Sequence, residues 1–292
     1  MDFNIKDDLL LVRDFYNMSQ AELAKEINVD RIRISRIELG ESYPRNEFLE
    51  LFYNYCFSKG LKLNLQKEMF YKDDIKENHI LLTHASKKGI VGEISVNIGR
   101  NNSDFGSGFY CGNSYDKSVS FVCRSDEACI YFMDFDPSNL KKIEFSVEED
   151  WMLAIAYYRG RLNDYKNHKK IQNIIKSIEN ADYVIAPIAD NRMFEIIDQF
   201  IEGYITDEQC KHCLAATNLG LQYVFLNDNA IKNLNILEKC YVSNEEKKSY
   251  INEQIEYQKQ GVQKSKLARI QYKGKGKYIE ELLKWLLLIE MA

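Results

Sequence analysis

From Leu9 to Cys56 apolar residues recur at helical spacing between polar caps, with no two-residue alternation anywhere, which predicts helix after helix in a compact module. Ser19 precedes Gln20-Ala21-Glu22-Leu23-Ala24, and Glu22 stands three residues on, the capping-box spacing that satisfies orphan amides at a helix start. Leu23, Ala24 and Ile27 supply the buried stripe. Asn28-Val29-Asp30 makes a turn, Asp30 can cap the next helix, and Ile34 and Ile37 face inward while Arg31, Arg33 and Arg36 point elsewhere. Gly40 stops that helix, and Pro44 supports a new one from about Asn46 to Ser58.

After a charged amphipathic connector from Leu61 to Asn78 the pattern changes. Short apolar or aromatic runs predict strands at His79 to His84, Phe109 to Cys111, Cys129 to Phe135, Tyr183 to Pro187 and Gln222 to Leu226. Helices are predicted at Glu148 to Arg161, Tyr165 to Ile178, Asn191 to Gly203 and Asp207 to Ala216. From Glu245 onward the tail reads as helical, ending in an amphipathic helix from Lys277 to Met291. The fold class expected is therefore α+β, with a helical domain over 1–66, a mixed domain over 67–240 and a helical extension over 241–292.

With 292 residues, 45% apolar and 28% charged, the chain can hold two ordinary cores, which excludes a disordered or fibrous protein. No apolar run, Trp285 to Ile289 included, is long enough for a membrane span, and acidic residues follow Met1 too soon for a secretory signal. Seven scattered cysteines, odd in number and mostly in apolar segments, are expected to be reduced core residues of a cytoplasmic protein. A net charge of −5 argues against an avid, non-specific nucleic-acid coat.

Ser19 to Ala24, Ile34-Ser35-Arg36-Ile37-Glu38-Leu39-Gly40 and Pro44 closely resemble the Xre/Cro-type helix-turn-helix family over residues 8 to 58. The resemblance implies that Gln20, Asp30, Arg31, Arg33 and Arg36 approach DNA phosphates and base edges, where arginine forms bidentate bonds to guanine. Against this, the first 66 residues hold nine basic and eleven acidic side chains, a weak electrostatic footprint. The alternative is a solvated face in which the arginines pair with Glu22, Glu26 or Glu38, or a surface for a partner protein.

Asp104-Phe105-Gly106-Ser107-Gly108-Phe109-Tyr110 is the most unusual local sequence, with two glycines that allow positive φ and close backbone approach before two aromatics. With His84 in Leu82 to Ser86 it suggests a cleft with one imidazole and one stacking ring. Ala189-Asp190-Asn191-Arg192 ends a strand at a helix start, where amides and polar side chains meet anions. Gln222 places a single amide on an apolar strand.

This set, with Trp151 to Arg159 and Gln222 to Phe225, resembles an uncharacterised bacterial family of the ADP-ribosyltransferase superfold over about residues 80 to 237. The resemblance implies a split β-sandwich of two small sheets around an NAD cleft, His84 on a ribose hydroxyl, Tyr110 or Phe109 stacked on nicotinamide, and Gln222 where the superfold has its catalytic glutamate. Ser86, Asp104, Gly106, Gly108, Asn191 and Arg192 would complete the NAD contacts. Such chemistry passes through an oxocarbenium-like cation that the site must orient and stabilise. Glutamine can orient a hydroxyl but is not a carboxylate base, so the acceptor is left open among a protein side chain, a nucleic acid and water.

The expectation is an NAD-consuming toxin or phage-defence effector governed by a fused helix-turn-helix, with DNA, an acceptor macromolecule, an antitoxin and a second copy of the chain as partners. The runner-up is a non-catalytic regulator that senses NAD or ADP-ribose and binds DNA, and a third reading makes both domains protein-interaction surfaces. Cys210-Lys211-His212-Cys213 has no second ligand pair at zinc-ribbon spacing, so no metal is expected. From Glu238 onward eleven basic and eight acidic residues leave room for an acidic partner or a nucleic acid.

Overall fold

The computed structural model describes residues 1–98, 102–216 and 220–284. Five helices come first: α1 (Ile5–Tyr16), α2 (Gln20–Glu26), α3 (Arg31–Glu38), α4 (Asn46–Ser58) and α5 (Leu63–Asp74). Then come β1 (Ile80–Ser86), β2 (Phe109–Gly112), α6 (Tyr115–Val122), β3 (Cys129–Phe135), β4 (Lys142–Glu144), α7 (Glu149–Tyr158) and α8 (Lys169–Glu179). The rest is β5 (Tyr183–Pro187), α9 (Asn191–Ile201), α10 (Asp207–Ala215), β6 (Leu221–Phe225), α11 (Asp228–Ile231), β7 (Leu234–Tyr241), α12 (Asn244–Gln271) and α13 (Ile279–Lys284). The fold is α+β.

Local chemistry explains most boundaries. Ser19 and Glu22 form the reciprocal capping box of α2, Asp30 caps α3 by accepting from the Ile32 amide, and Thr206 with Gln209 closes a second box on α10. Ile171, Ile174, Ile175 and Ile178 are buried along one face of α8, each contributing roughly 1.5–3 kcal/mol on burial. That helix starts at Lys169 rather than Tyr165, because His168 caps it and residues 163–165 form a single tighter turn. The connector from Leu61 contains α5. Four further elements, α6, β4, α11 and β7, fall outside the expected set. β4 is only three residues long, and β7 carries Glu238 and Lys239, which mask its strand character. The amphipathic helix expected from Lys277 begins at Ile279, and its end, with the run from Trp285, lies outside the described residues.

Two compact units arise from interleaved stretches: 1–91, 114–135 and 235–254 in the first, 92–113, 136–234 and 255–292 in the second. In the first, α1 to α4 enclose a core of Leu9, Val12, Leu23, Ile34, Ile37, Phe48 and Phe52. The same unit holds three strands in the order β1-β3-β7, with β1 antiparallel to β3 and His84 opposite Tyr131. Leu81, Ile130, Phe132, Tyr115 and Val119 bury one face of these strands against α6. In the second unit the order is β4-β5-β6-β2; β4 and β5 are parallel, whereas β5-β6 and β6-β2 are antiparallel. Val184, Ala186 and Val224 face a core filled by Trp151, Ile155, Ile175, Ile197 and Phe200. All seven cysteines are buried and unbridged.

At the start of α12, Glu246 is buried, and its Oε1 accepts from the Tyr115 hydroxyl at 2.9 Å. That hydroxyl in turn accepts from Asn64 Nδ2 at 2.7 Å. Burial pushes the Glu246 carboxyl up from 4.5 to about 7, reinforced by Asp116 and opposed by the Tyr115 and Asn64 bonds and by Lys62. The folded chain thus binds a proton that the unfolded chain has lost. This contribution to stability is complete below about pH 4.5 and disappears as the pH rises through about 7. Glu246→Gln is expected to be near neutral at pH 5 and to stabilise by about 2–3 kcal/mol at pH 8, read as a melting temperature that rises only at the higher pH.

Candidate functional site

In the helix-turn-helix, Asn28 adopts φ 55° in the turn, and the Asp30 cap then sets the first turn of α3. Arg31 and Arg36 are exposed, while Arg33 lies half-buried with its guanidinium 5.1 Å from the Phe48 ring centre. The acids expected to neutralise this face are held elsewhere. Glu38 takes two bonds from Arg13 Nη1, at 2.9 and 2.8 Å, and one from Gln20 at 2.7 Å; Glu26 pairs with Lys59 at 3.1 Å; Glu22 serves the capping box. Gln20 Oε1 accepts from Arg31 at 3.4 Å, so these two expected contacts adjoin. Asp30 acts as a cap. Arginines displayed without acidic partners suit a phosphate backbone.

His84 and Ser86 sit half-buried on β1 in the first unit. Alternation along the strand turns Leu81, Thr83 and Ala85 toward α6, where Thr83 meets Ser118 at 2.7 Å, and puts His84 and Ser86 on the opposite face. The His84 ring centre is 6.2 Å from that of Tyr131.

The remaining expected residues belong to the second unit. On the β2-β6 ladder Tyr110 lies opposite Val224 and Gly112 opposite Gln222, so Tyr110 and Gln222 share one face of adjacent strands. Phe109 points the other way, opposite Phe225, and is 1% exposed. The structure thus separates Phe109 from Tyr110 and Gln222, and of the two candidate stacking rings Tyr110 is the one on the glutamine's face. Burial raises the Tyr110 hydroxyl well above its ordinary range. It donates to the Gly106 carbonyl at 2.8 Å and accepts from the Phe105 amide at 3.1 Å. This clamp closes the glycine turn, in which Gly106 adopts φ 73°. Gly108 is needed for close approach, because a Cβ there would come within 2.9 Å of Val224 Cγ1 and 3.0 Å of the Phe225 carbonyl.

Asp104 is the centre of a buried polar knot. Its carboxylate accepts from Arg159 Nε at 3.1 Å and Nη2, from the Ala189 amide at 3.0 Å and from Gln222 Nε2 at 2.8 Å. Gln222, 6% exposed, also donates to the Pro187 carbonyl at 3.0 Å. Arg159 spans Asp104 and the Ala189 carbonyl, with Phe194 at 4.5 Å beneath its guanidinium. Asp104 and Gln222 are therefore fastened to the framework, where the expectation had them facing a ligand.

Asp190 caps α9 by accepting from the Met193 amide at 2.9 Å. The side chain of Asn191 lies outside the described residues. Arg192 turns to α12 and donates from Nη1 to the Gln258 carbonyl at 2.9 Å. Sequence reasoning missed this use of Arg192, since nothing local joins positions so far apart. Among the described residues, no cluster of three or more His, Cys, Asp or Glu side chains could hold a metal ion, and no helix is long and apolar enough to cross a membrane.

A family model described as a protein of unknown function (DUF3990) matches residues 80–236, and a helix-turn-helix model matches residues 12–52. The first match begins at β1 and ends within β7, so it includes strands of both units; the second runs from α1 into α4. Comparison with curated proteins and with solved structures gives no match.

Proposed function

We propose, from the premise that the chain belongs to the DUF3990 family of proteins of unknown function, that it is an ADP-ribosyltransferase-like, NAD-directed protein that engages DNA through its helix-turn-helix. The observation that carries this reading is the β2-β6 ladder, which sets Tyr110 and Gln222 on one face of adjacent strands. The proposed reaction breaks the bond between ribose C1′ and the nicotinamide nitrogen, the electron pair leaving with nicotinamide. An acceptor lone pair forms the new bond to C1′ and the acceptor loses its proton. Gln222 does not take that proton, which passes to solvent. A toxin or phage-defence effector held by an antitoxin follows from the family resemblance.

A second reading, a nucleotide-sensing DNA-binding regulator without turnover, is favoured by the Gln222 amide, whose nitrogen is spent on Asp104 and Pro187. One assay separates the two. Nicotinamide release from NAD that falls on the order of 100-fold in His84→Ala supports the transferase. NAD binding without release, with DNA affinity that depends on NAD, supports the regulator. A folded protein that neither binds nor cleaves NAD sinks both. Operator binding should weaken in Arg31→Gln/Arg36→Gln at unchanged melting temperature.

A further inference from the structure

We propose that the cleft between α9 and the second half of α12 is an anion site that takes a phosphate group. Both segments belong to the second unit. The cleft, about 170 Å³, is lined by Arg192, Glu195, Gln199, Ser265, Lys266 and Arg269 among others, so three cations face one carboxylate. Asp198, the next acid on α9, is bound to Arg161 at 2.5 Å.

The two guanidinium groups are held by neutral oxygens. Arg192 donates to the Gln258 carbonyl at 2.9 Å and to Ser265 Oγ at 3.5 Å, and Arg269 donates to Gln199 Oε1. These bonds fix position without cancelling charge, and each guanidinium has five N–H donors, so several remain for a ligand. Gly261 reinforces the arrangement: a Cβ at that place in α12 would come within 2.7 Å of Arg192 Nη1. Positioned forks with uncancelled charge suit the paired oxygens of a phosphate, and Lys266 adds a point charge. The phosphate could come from a free nucleotide or from a nucleic-acid backbone. His84, Tyr110 and Gln222 do not line this cleft, so the site stands apart from the NAD reading and shares only Arg192 with it.

The test titrates the full-length protein with ADP and with a short fluorescein-labelled single-stranded oligonucleotide, comparing wild type with Lys266→Gln/Arg269→Gln. Both side chains are exposed, so the variant should keep its fold, which circular dichroism checks. The expected result is a loss of affinity on the order of tenfold or more. For the oligonucleotide the salt dependence should also become shallower, by about 0.7 in slope for each lost contact. ADP bound through these residues assigns a nucleotide; the oligonucleotide bound while ADP is not assigns a nucleic-acid backbone. Arg31→Gln/Arg36→Gln reports how much of the oligonucleotide binding belongs to the helix-turn-helix, and only the part that survives in it is assigned to the cleft. Failure of both probes to bind, or undiminished binding by the double variant, overturns the proposal. Nicotinamide release measured in parallel keeps the two readings distinct, since a protein that binds ADP here and cleaves no NAD fails only the transferase.

Discussion

Lys67→Met is expected to lower the unfolding free energy by about 3–5 kcal/mol, the usual result of removing one partner from a buried ion network. The Lys67 ammonium is buried on α5 and lies 2.5 Å from Asp8 of α1 and 2.5 Å from Glu238 of β7. Tyr53 donates to Asp8, and Tyr71 donates to Glu238 at 2.8 Å. Burial alone would pull the lysine down; the attraction of Asp8, Cys240 and Glu238 outweighs it and holds Lys67 above its ordinary range. Burial likewise raises Asp8 despite the lysine beside it. Removing the cation leaves two carboxylates facing each other with only phenol donors. Urea denaturation measures the loss. The neutral triple replacement Asp8→Asn/Lys67→Met/Glu238→Gln should cost far less, because no uncompensated charge remains; equal losses in the two variants would show that packing, not charge, explains the site.

The second large effect is expected at Asp104. Asp104→Ala strands the Arg159 guanidinium, the Ala189 amide and the Gln222 amide together, and a cost of about 3–5 kcal/mol follows from the unpaired buried charge and donors. Gln222→Glu probes the same knot from the other side. It supplies the carboxylate that the proposed transferase reading lacks, yet places it at the 2.8 Å contact where Gln222 Nε2 now donates to Asp104. Two carboxylates so close cannot both be ionised cheaply, so one binds a proton in the fold. The variant should match wild type best at low pH and lose stability as the pH rises through neutrality. Melting curves across pH check this, and a variant as stable as wild type at pH 8 would show that the knot tolerates a second charge.

These two networks mark the limit of what the sequence reveals. The helices from Leu9 to Ser58 were legible because their determinants are local: the capping box at Ser19, the Asp30 cap, the apolar stripe of Leu23 and Ile27. β3 and β5 have the expected boundaries because each is a short apolar run with a clear start and stop. β7 was not legible, since Glu238 reads as a surface residue until Lys67, 171 positions earlier, is known to face it. Gln222 likewise reads as an isolated amide on an apolar strand, and its partner Asp104 lies 118 positions away. The glycine turn was recognised as special, but only the Tyr110 clamp and the crowding at Gly108 say why both glycines are there.

The interleaved first unit has a consequence for biosynthesis. Asp8 and Lys67 emerge early, whereas Glu238 follows after the whole stretch 136–234 of the other unit. A nascent chain therefore carries its helix-turn-helix with this internal charge balance incomplete until Glu238 is made, and the three-strand group cannot close until β7 has left the ribosome. Products of premature termination before Glu238 would display the arginines of α3 on a weakened scaffold, so that full stability of the helix-turn-helix reports that the chain has been read past Glu238.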